Sequence, residues 1–301
     1  MQFRWKNLKI FIIIIFCLIT ASIHPSIANE ISPNKTRLET QFYNLDLNLI
    51  PTGQSDGLLL ARSGKTIFVG HRIEKFITYG ELTSQGSFAN RGTIKLPEKF
   101  GGKLTGDLIL DLHSSSTDLF VAVGMQTNSS NENCGGVYIL KYVKKNNYSS
   151  GQQIFQSSPC LNGEIGQFPW TARLASDRKY LYVAGGNTLV DFQFGTYPSP
   201  VIPILKNWIT IPKTNFYGKV NRINLKTFQT TEFASGIRNL GGLHYDYKNS
   251  ALYQTDNGPR GGDLLQKIEK GKTYPWPEST LGRPYGSDTT NKDQEIGRAH
   301  V

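Results

Sequence analysis

The sequence has little that would build helices or a hydrolytic active site. After residue 30 no amphipathic pattern runs longer than two helical turns, and the apolar residues come in short bursts with a period of two. Clusters of glycine, serine and asparagine separate the bursts. No Ser/His/Asp constellation and no metal-ligand spacing stands out, so nothing supports a nuclease or a hydrolase. The chain is therefore predicted to be all-β.

Positive charge is in excess but is not organised for nucleic acid. The formal net charge is +10 at pH 7, and the basic residues are scattered along the chain. The densest group, Lys141 with Lys144 and Lys145, leads into a polar turn and is interpreted as a solvated turn. Aromatic and basic residues do not interleave, and no groove-binding motif is present. A nucleic-acid partner is not predicted.

The only long apolar run lies at the N-terminus. Basic residues precede the run over 10–23, and the small residues of Ser26–Ala28 follow it. This arrangement is typical of a secretory signal peptide over residues 1–28, which predicts a periplasmic or secreted protein. An uncleaved membrane anchor is the alternative, but the run is shorter than the about 20 apolar residues that a membrane span needs.

The C-terminal residues 295–301, EIGRAHV, show neither apolar periodicity nor turn chemistry. Back-translated, they match read-through of a common sequencing adapter. We therefore expect the native domain to occupy residues 29–294 and the natural protein to continue further.

Two cysteines lie downstream of the expected cleavage site. Cys134 precedes the run GGVYILKYV, Cys160 follows QQIFQSS, and a polar turn lies midway between them. The two sulfur atoms are therefore expected across the open end of one hairpin. In an oxidising compartment this placement predicts a disulfide, and the alternative is a pair of free buried thiols.

One strand–turn–strand unit occurs four times. Each copy carries an aliphatic–aromatic pair in its second strand, and the pairs are Ile67-Phe68, Leu119-Phe120, Leu181-Tyr182 and Leu252-Tyr253. A further hairpin fits in each interval, for example FITYGEL with GTIKLPEKF or VYILKYV with QQIFQSS. About four strands per repeat are the content of a propeller blade. A two-sheet sandwich is the alternative, but it does not require the same unit four times.

Three motifs follow one another in the last part of the chain. Residues 238–242 read RNLGG, residues 257–264 read NGPRGGDL, and residues 273–277 read TYPWP. In order and spacing they resemble the soluble quinoprotein glucose/sorbosone dehydrogenases, the aldose dehydrogenases that use pyrroloquinoline quinone. The specific similarity covers residues 170–278. It implies a six-bladed β-propeller, of which this chain would supply about four blades as an open arc.

The resemblance also implies a chemistry. Members of this family oxidise the C1 hydroxyl of a sugar by hydride transfer to the quinone, with Ca²⁺ bound beside it. The substrate would be a small-molecule sugar, and the electron acceptor is not indicated. Carried over residue by residue, the backbone carbonyls of Gly258 and Pro259 would bind Ca²⁺, which prefers oxygen ligands. Arg238 and Asn239 would contact the quinone, and the Arg238 guanidinium would stabilise oxygens that gain charge during the reaction.

The chain departs from the family pattern at four positions, two of which, Asn257 and Leu264, replace the usual histidine and glutamate of the glycine-rich motif. Pro169 stands where the family has its general-base histidine, four residues before Arg173, and Gly241 stands where a glutamine helps to hold the quinone. Proline cannot accept a proton, so His71 or Asp256 is the candidate for a substitute base. Two hypotheses follow: a sugar dehydrogenase with impaired activity, or a non-catalytic propeller that binds a carbohydrate or a protein partner.

Overall fold

The computed structural model describes part of the chain, and it consists almost entirely of antiparallel strands. The described residues are 35–39, 44–48, 58–72, 74–84, 87–97, 108–129, 132–159, 161–162, 171–186, 214–258 and 262–276. The first two stretches form a separate hairpin of β1 (Lys35–Glu39) and β2 (Asn44–Asn48). One 3₁₀ turn, Lys144–Asn146, interrupts the strands. Within these residues no helix is long and apolar enough to cross a membrane.

The remaining strands form four sheets that follow one another along the chain. Blade 1 contains β3 (Leu58–Ser63), β4 (Thr66–His71), β5 (Phe76–Leu82) and β6 (Phe88–Lys95). Blade 2 contains β7 (Leu108–Ser114), β8 (Asp118–Ser129), β9 (Glu132–Val143) and β10 (Gly151–Gln156), with the short β11 (Leu161–Asn162) also on β9. Blade 3 contains β12 (Ala172–Ser176), β13 (Tyr180–Gly185), β14 (Lys219–Asn224) and β15 (Thr230–Ser235). Blade 4 contains β16 (Leu240–Asp246), β17 (Ala251–Asp256) and β18 (Leu264–Ile268).

The strand order confirms the predicted propeller architecture. In every blade the strands pair antiparallel in chain order, so each blade is a meander. The two predicted hairpins are present as β5–β6 and β9–β10. The first strands of successive blades pack together, with β3 against β7, β7 against β12, and β12 against β16. The all-β prediction and the count of about four blades are therefore both confirmed.

The aliphatic–aromatic pairs occupy the second strand of each blade and face in two directions. Leu119 belongs to the apolar cluster between blades 1 and 2, whereas Phe120 belongs to the cluster between blades 2 and 3. Leu181 and Tyr182 divide in the same way between the clusters on either side of blade 3. Consecutive side chains of a strand point to opposite faces, so one pair serves two interfaces.

The first strands of the blades line a central channel. A cavity of about 350 Å³ lies between β3, β7, β12 and β16. Charged and polar residues of these strands face it, together with the glycines at the start of β16. The channel-facing polar residues include Arg62, Asp111, His113, Ser114 and Arg173.

The interface role of the second strand yields a stability prediction. Phe120 is fully buried between blades 2 and 3, so Phe120→Ala should lower the free energy of unfolding by about 3–5 kcal/mol. Lys226, in an exposed turn of blade 3, is the control, because its replacement by alanine should change stability by less than about 0.5 kcal/mol. Chemical denaturation of the full-length protein measures both values. Equal effects of the two substitutions would contradict the interface assignment.

Candidate active site

The three motifs of the last part of the chain meet at one corner of blade 4. This corner, called the RN corner below, comprises residues 236–239 before β16, the described residues 257, 258, 262 and 263 between β17 and β18, and residues 274–276 after β18. The antiparallel pairing of β16 with β17 brings the first two segments together, since Leu240 lies opposite Asp256. A bulge between Leu240 and Gly242 leaves Gly241 outside the regular ladder.

Asp256, the last residue of β17, holds the Arg238–Asn239 segment by its backbone. Its Oδ2 accepts a hydrogen bond from the Arg238 N–H at 3.0 Å, and its Oδ1 accepts one from the Asn239 N–H at 2.5 Å. The Asn257 N–H in turn donates to the Asn239 carbonyl at 2.8 Å. Burial raises the pKa of Asp256, while these N–H donors and the Arg238 guanidinium oppose that rise.

The Arg238 side chain is fixed by the other two motifs. The residue is only 5% exposed, and its Nη1 donates to the Asn257 carbonyl. Its guanidinium lies 5.2 Å from the ring centroid of Trp276, which is a cation–π distance. The first motif therefore supplies the guanidinium, the second supplies the Asn257 carbonyl that accepts its hydrogen bond, and the third supplies the aromatic face of Trp276.

The segment that carries Trp276 is anchored through Tyr274. The Tyr274 N–H donates to the Ser235 carbonyl at 2.9 Å, next to the start of the RN corner. Its buried ring reaches back to β18, where the hydroxyl donates to the Lys267 carbonyl at 2.6 Å and accepts from the Glu269 N–H at 3.0 Å. This anchoring explains why an aromatic motif follows the other two at a fixed distance along the chain.

The Gly258 turn is too narrow for any side chain. A Cβ atom at Gly258 would lie 2.0 Å from the Gly262 carbonyl oxygen, so the two backbone stretches can approach only because residue 258 is glycine. The Gly258 N–H donates to Asp263 Oδ1 at 3.0 Å, which fixes one side of the turn. Pro259, predicted to bind Ca²⁺ together with Gly258, lies outside the described residues.

A second close approach joins the RN corner to blade 3. A Cβ atom at Gly186 would lie 2.5 Å from the Arg238 carbonyl oxygen. The glycine that immediately follows the second strand of blade 3 therefore lets the Arg238 backbone pack directly against the neighbouring blade.

Below the corner, Arg173 joins three blades through carbonyl oxygens. Its Nε donates to Gly241 of blade 4 at 2.8 Å, and its Nη1 donates to Leu110 of blade 2 at 3.1 Å and to Ala172 of its own strand at 2.9 Å. The next residue of blade 3 makes a second bond to blade 2, because the Leu174 N–H donates to Asp111 Oδ2 at 2.8 Å. Burial raises the pKa of Asp111 to about 6, although the Leu174 N–H and the Arg173 charge favour the carboxylate.

The histidines of blades 1, 2 and 4 occupy very different positions. His113 lines it and shares a hydrogen bond of 2.8 Å between Nε2 and Ser176 Oγ, and burial together with the nearby His244 lowers the pKa of its imidazole to about 4. His71 is 1% exposed on the second strand of blade 1, with Nε2 3.0 Å from Thr78 Oγ1. His244 is exposed on β16.

The structure brings Arg238, Asn239, Asp256 and Gly258 together and places His71 in another blade. For His71 to act as a substitute base, its buried ring would have to become accessible to a sugar. For Asp256, a carboxylate oxygen would have to release a backbone N–H. Both roles stay predictions.

Two further expectations fall on residues outside the described part of the chain. Pro169, at the family's general-base position, is one of them. Cys160 is the other, so the predicted disulfide with Cys134 also stays a prediction. The backbone of Cys134 is described, and it lies opposite Asn162 of β11.

The sequence did not reveal how the site is supported. In the sequence, Asp256 is recognisable only as a candidate base, Trp276 only as part of a motif, and Arg173 only by its spacing from Pro169. The available signal was the position of Asp256 at the end of a strand, immediately before a glycine turn. Its acceptor role depends on the pairing of β16 with β17, which a linear motif does not contain.

The comparisons with known proteins agree with this architecture. The chain matches the Glucose / Sorbosone dehydrogenase family over residues 106–299, which is more than half of its length. The protein therefore belongs to the glucose/sorbosone dehydrogenase family. The match includes blades 2 to 4 and the whole RN corner.

Individual relatives match over shorter stretches. The aldose sugar dehydrogenase YliI of Escherichia coli K12 is 44% identical over 50 residues, which is 17% of this chain and 14% of that protein. An uncharacterised protein of Synechocystis, slr1608, is 43% identical over 53 residues, which is 18% of this chain and 13% of that protein.

Among solved structures, the fold is similar to two dehydrogenase propellers. The apo form of the soluble aldose sugar dehydrogenase of Escherichia coli aligns with a TM-score of 0.50 at 19% identity, over 76% of this chain and 65% of that one. A glucose dehydrogenase aligns with a TM-score of 0.51 at 16% identity, over 80% of this chain and 69% of that one. The chain thus spans about two thirds of the length of these structures, and the similarity supports the shared fold.

The raised pKa of Asp111 predicts a pH-dependent stability. The pKa of Asp111 is higher in the folded protein than in the unfolded chain. The contribution of this group to the free energy of unfolding is therefore highest at low pH. It falls as the pH rises from about 4 through about 6. Asp111→Asn keeps an oxygen that can accept the Leu174 N–H but carries no charge. The variant should therefore be more stable than the wild type by about 1–3 kcal/mol at pH 7.5 and nearly equal at pH 4.

Urea denaturation of both proteins at the two pH values measures this difference. A gap between wild type and Asp111→Asn that does not change with pH would show that the carboxyl group titrates normally in the folded protein.

Proposed function

We propose that the full-length protein is a periplasmic or secreted sugar dehydrogenase of the quinone-dependent type. Membership of the family supports the reaction class, and the predicted signal peptide supports the compartment. The substrate would be an aldose, oxidised at its C1 hydroxyl, with electrons passing afterwards to a separate acceptor.

The residues of the RN corner fit a quinone that carries carboxylates. A guanidinium, an amide side chain and a narrow glycine turn lie within one hydrogen-bonded unit. Arginine offers several N–H donors in a planar fork that suits carboxylate and quinone oxygens. Because Gly258 has no side chain, its backbone can come close to a ligand.

Calcium would be held by carbonyl oxygens at the same turn. In the described part of the chain no three His, Cys, Asp or Glu side chains cluster, so the ligands would be the carbonyls of Gly258 and Pro259 and water molecules. Asp263, whose carboxylate accepts the Gly258 N–H, fixes the turn that presents these oxygens. A bound quinone would supply the hydride acceptor for the sugar, and a bound cation would supply positive charge beside it.

The protein's own residues would bind and orient rather than move the proton. Arg238 would place positive charge where negative charge develops, and Trp276 and the Asn257 carbonyl would keep its guanidinium in place. Asn239, partly buried beside it, would supply a hydrogen-bonding amide. The observation that carries the proposal is this convergence of three family motifs on one guanidinium.

A second candidate function is a propeller that binds a carbohydrate or a protein partner without oxidising it. Pro169 at the base position favours this alternative, because a proline cannot take the proton of the C1 hydroxyl. The buried position of His71 favours it as well. The two candidates share the fold and differ in whether hydride transfer occurs.

Cofactor binding separates the proposed function from a propeller that does not use the quinone. Apo protein titrated with pyrroloquinoline quinone should bind it only when Ca²⁺ is present, and a chelator should reverse the binding. Arg238→Ala should weaken the affinity by about 10- to 100-fold, because it removes a charged donor at the ligand. Quinone absorbance reports the titration. Absence of binding with and without Ca²⁺ in the wild type would refute the proposal.

Sugar oxidation should be slow in the wild type and gain from a restored base. General-base loss costs about 10²–10⁴-fold in rate, so Pro169→His should raise turnover by up to that factor. Pro169→Gln, which also removes the proline but supplies no base, is the matched control. Both are assayed with a panel of aldoses and an artificial electron acceptor. Wild-type turnover of about 1–10³ s⁻¹, the ordinary range for enzymes, would show that another residue already serves as base.

A further inference from the structure

Asp256 uses both of its carboxylate oxygens on two consecutive backbone N–H groups. The acceptor distances are 3.0 Å to Arg238 and 2.5 Å to Asn239, and the residue is only 5% exposed. Both donors lie before the start of β16 and use this side chain in place of a strand partner. Consecutive N–H groups of an extended strand point to opposite sides, so their convergence on one carboxylate requires a turned backbone.

The turned backbone decides where the two side chains project. Arg238 is directed to the Asn257 carbonyl and the face of Trp276, and Asn239 follows at the next position. A neutral acceptor would serve poorly here, because an asparagine side chain offers a single acceptor oxygen for two donors. A carboxylate satisfies both, forms stronger hydrogen bonds than a neutral group, and lies beside the positive charge of Arg238.

We propose that Asp256 is a positioning residue: its carboxylate sets the backbone of the Arg238–Asn239 pair and thereby the affinity of the site for the quinone. This inference rests on the proposed function for the identity of the ligand. It assigns Asp256 a role different from that of a substitute base, because the oxygens that would accept a proton from the sugar are directed at the backbone.

The same sheet offers a matched control in Asp246. This carboxylate ends β16 and accepts the Lys248 N–H at 2.8 Å and the Asn249 N–H at 3.3 Å in the β16–β17 turn. It therefore also holds two backbone N–H groups of blade 4. Six residues of strand, or about 20 Å, separate it from the RN corner. Both N–H groups donate to Oδ1, and Oδ2 accepts the Asn249 side-chain amide at 2.6 Å, so Asp246→Asn should remove this last contact and disturb the turn without disturbing the corner.

Amide hydrogen exchange of the apo protein tests the backbone contact without any ligand. In the wild type the amides of Arg238 and Asn239 should be protected although they lie in a loop. In Asp256→Asn at least one of them should exchange at least about tenfold faster, while Asp246→Asn should leave both unchanged. Fast exchange of both amides in the wild type would overturn the proposal even if no variant folds.

Quinone titration in the presence of Ca²⁺ tests the consequence for binding. Asp256→Asn should raise the Kd by about 10- to 100-fold, and Asp246→Asn should leave it within about twofold of the wild type. Because Asp256 acts through Arg238, the double variant with Arg238→Ala should lose less affinity than the product of the two single losses. Wild-type affinity in Asp256→Asn, an equal loss in Asp246→Asn, or a fully multiplicative double variant would each overturn the positioning role.

The two arms separate this inference from the proposed function. If the wild type binds no quinone under any condition, the proposed function fails, and the exchange measurement alone decides whether Asp256 sets the backbone. If the wild type binds quinone and the variants behave alike, the function stands and the positioning role fails.

Discussion

The fold depends on the requirement that each blade is covered on both of its faces. A sheet between two neighbours has no face for water, so its second strand must be apolar on both sides. The alternation along β8 shows how this is met: Leu119, Val121 and Val123 pack toward blade 1, while Phe120 and Ala122 pack toward blade 3. Each blade therefore orients the next, and the first strands are brought to a common channel.

The candidate site depends on that arrangement because it lies where blades 3 and 4 meet. Gly186 of blade 3 admits the Arg238 carbonyl, and Arg173 of blade 3 binds the Gly241 carbonyl just after the RN corner. Within blade 4, the pairing of β16 with β17 sets Asp256 opposite Leu240 and so beside the segment that it holds. Blade packing thus fixes the position of the corner relative to blade 3, and the Asp256 carboxylate fixes the backbone conformation of the Arg238–Asn239 segment. A change at either level would alter the orientation of Arg238.

The sequence alone was sufficient for the architecture. Period-two bursts and four aliphatic–aromatic pairs predicted four blades, because burial on both faces leaves a strong local signature in the second strand. The motifs also named Arg238, Asn239 and Gly258, which the structure brings to one corner of blade 4. The supporting contacts could not be predicted in this way. The bulge at Gly241, the bridge from Arg173 across three blades and the inward direction of Asp256 all depend on register between distant strands.

The geometry also changes the question raised by Pro169. A missing base can be replaced only by a group that is both near the ligand and free to accept a proton. In the described part of the chain, Asp256 meets the first condition but its oxygens accept N–H groups, and His71 is buried in another blade. Burial raises the pKa of Asp111 to about 6, yet one of its oxygens accepts the Leu174 N–H and the residue lines the channel rather than the corner. The described residues are therefore better arranged to hold a ligand than to remove its proton. Binding and catalysis can be lost separately in such a site, because the contacts that orient Arg238 do not include the position of the base.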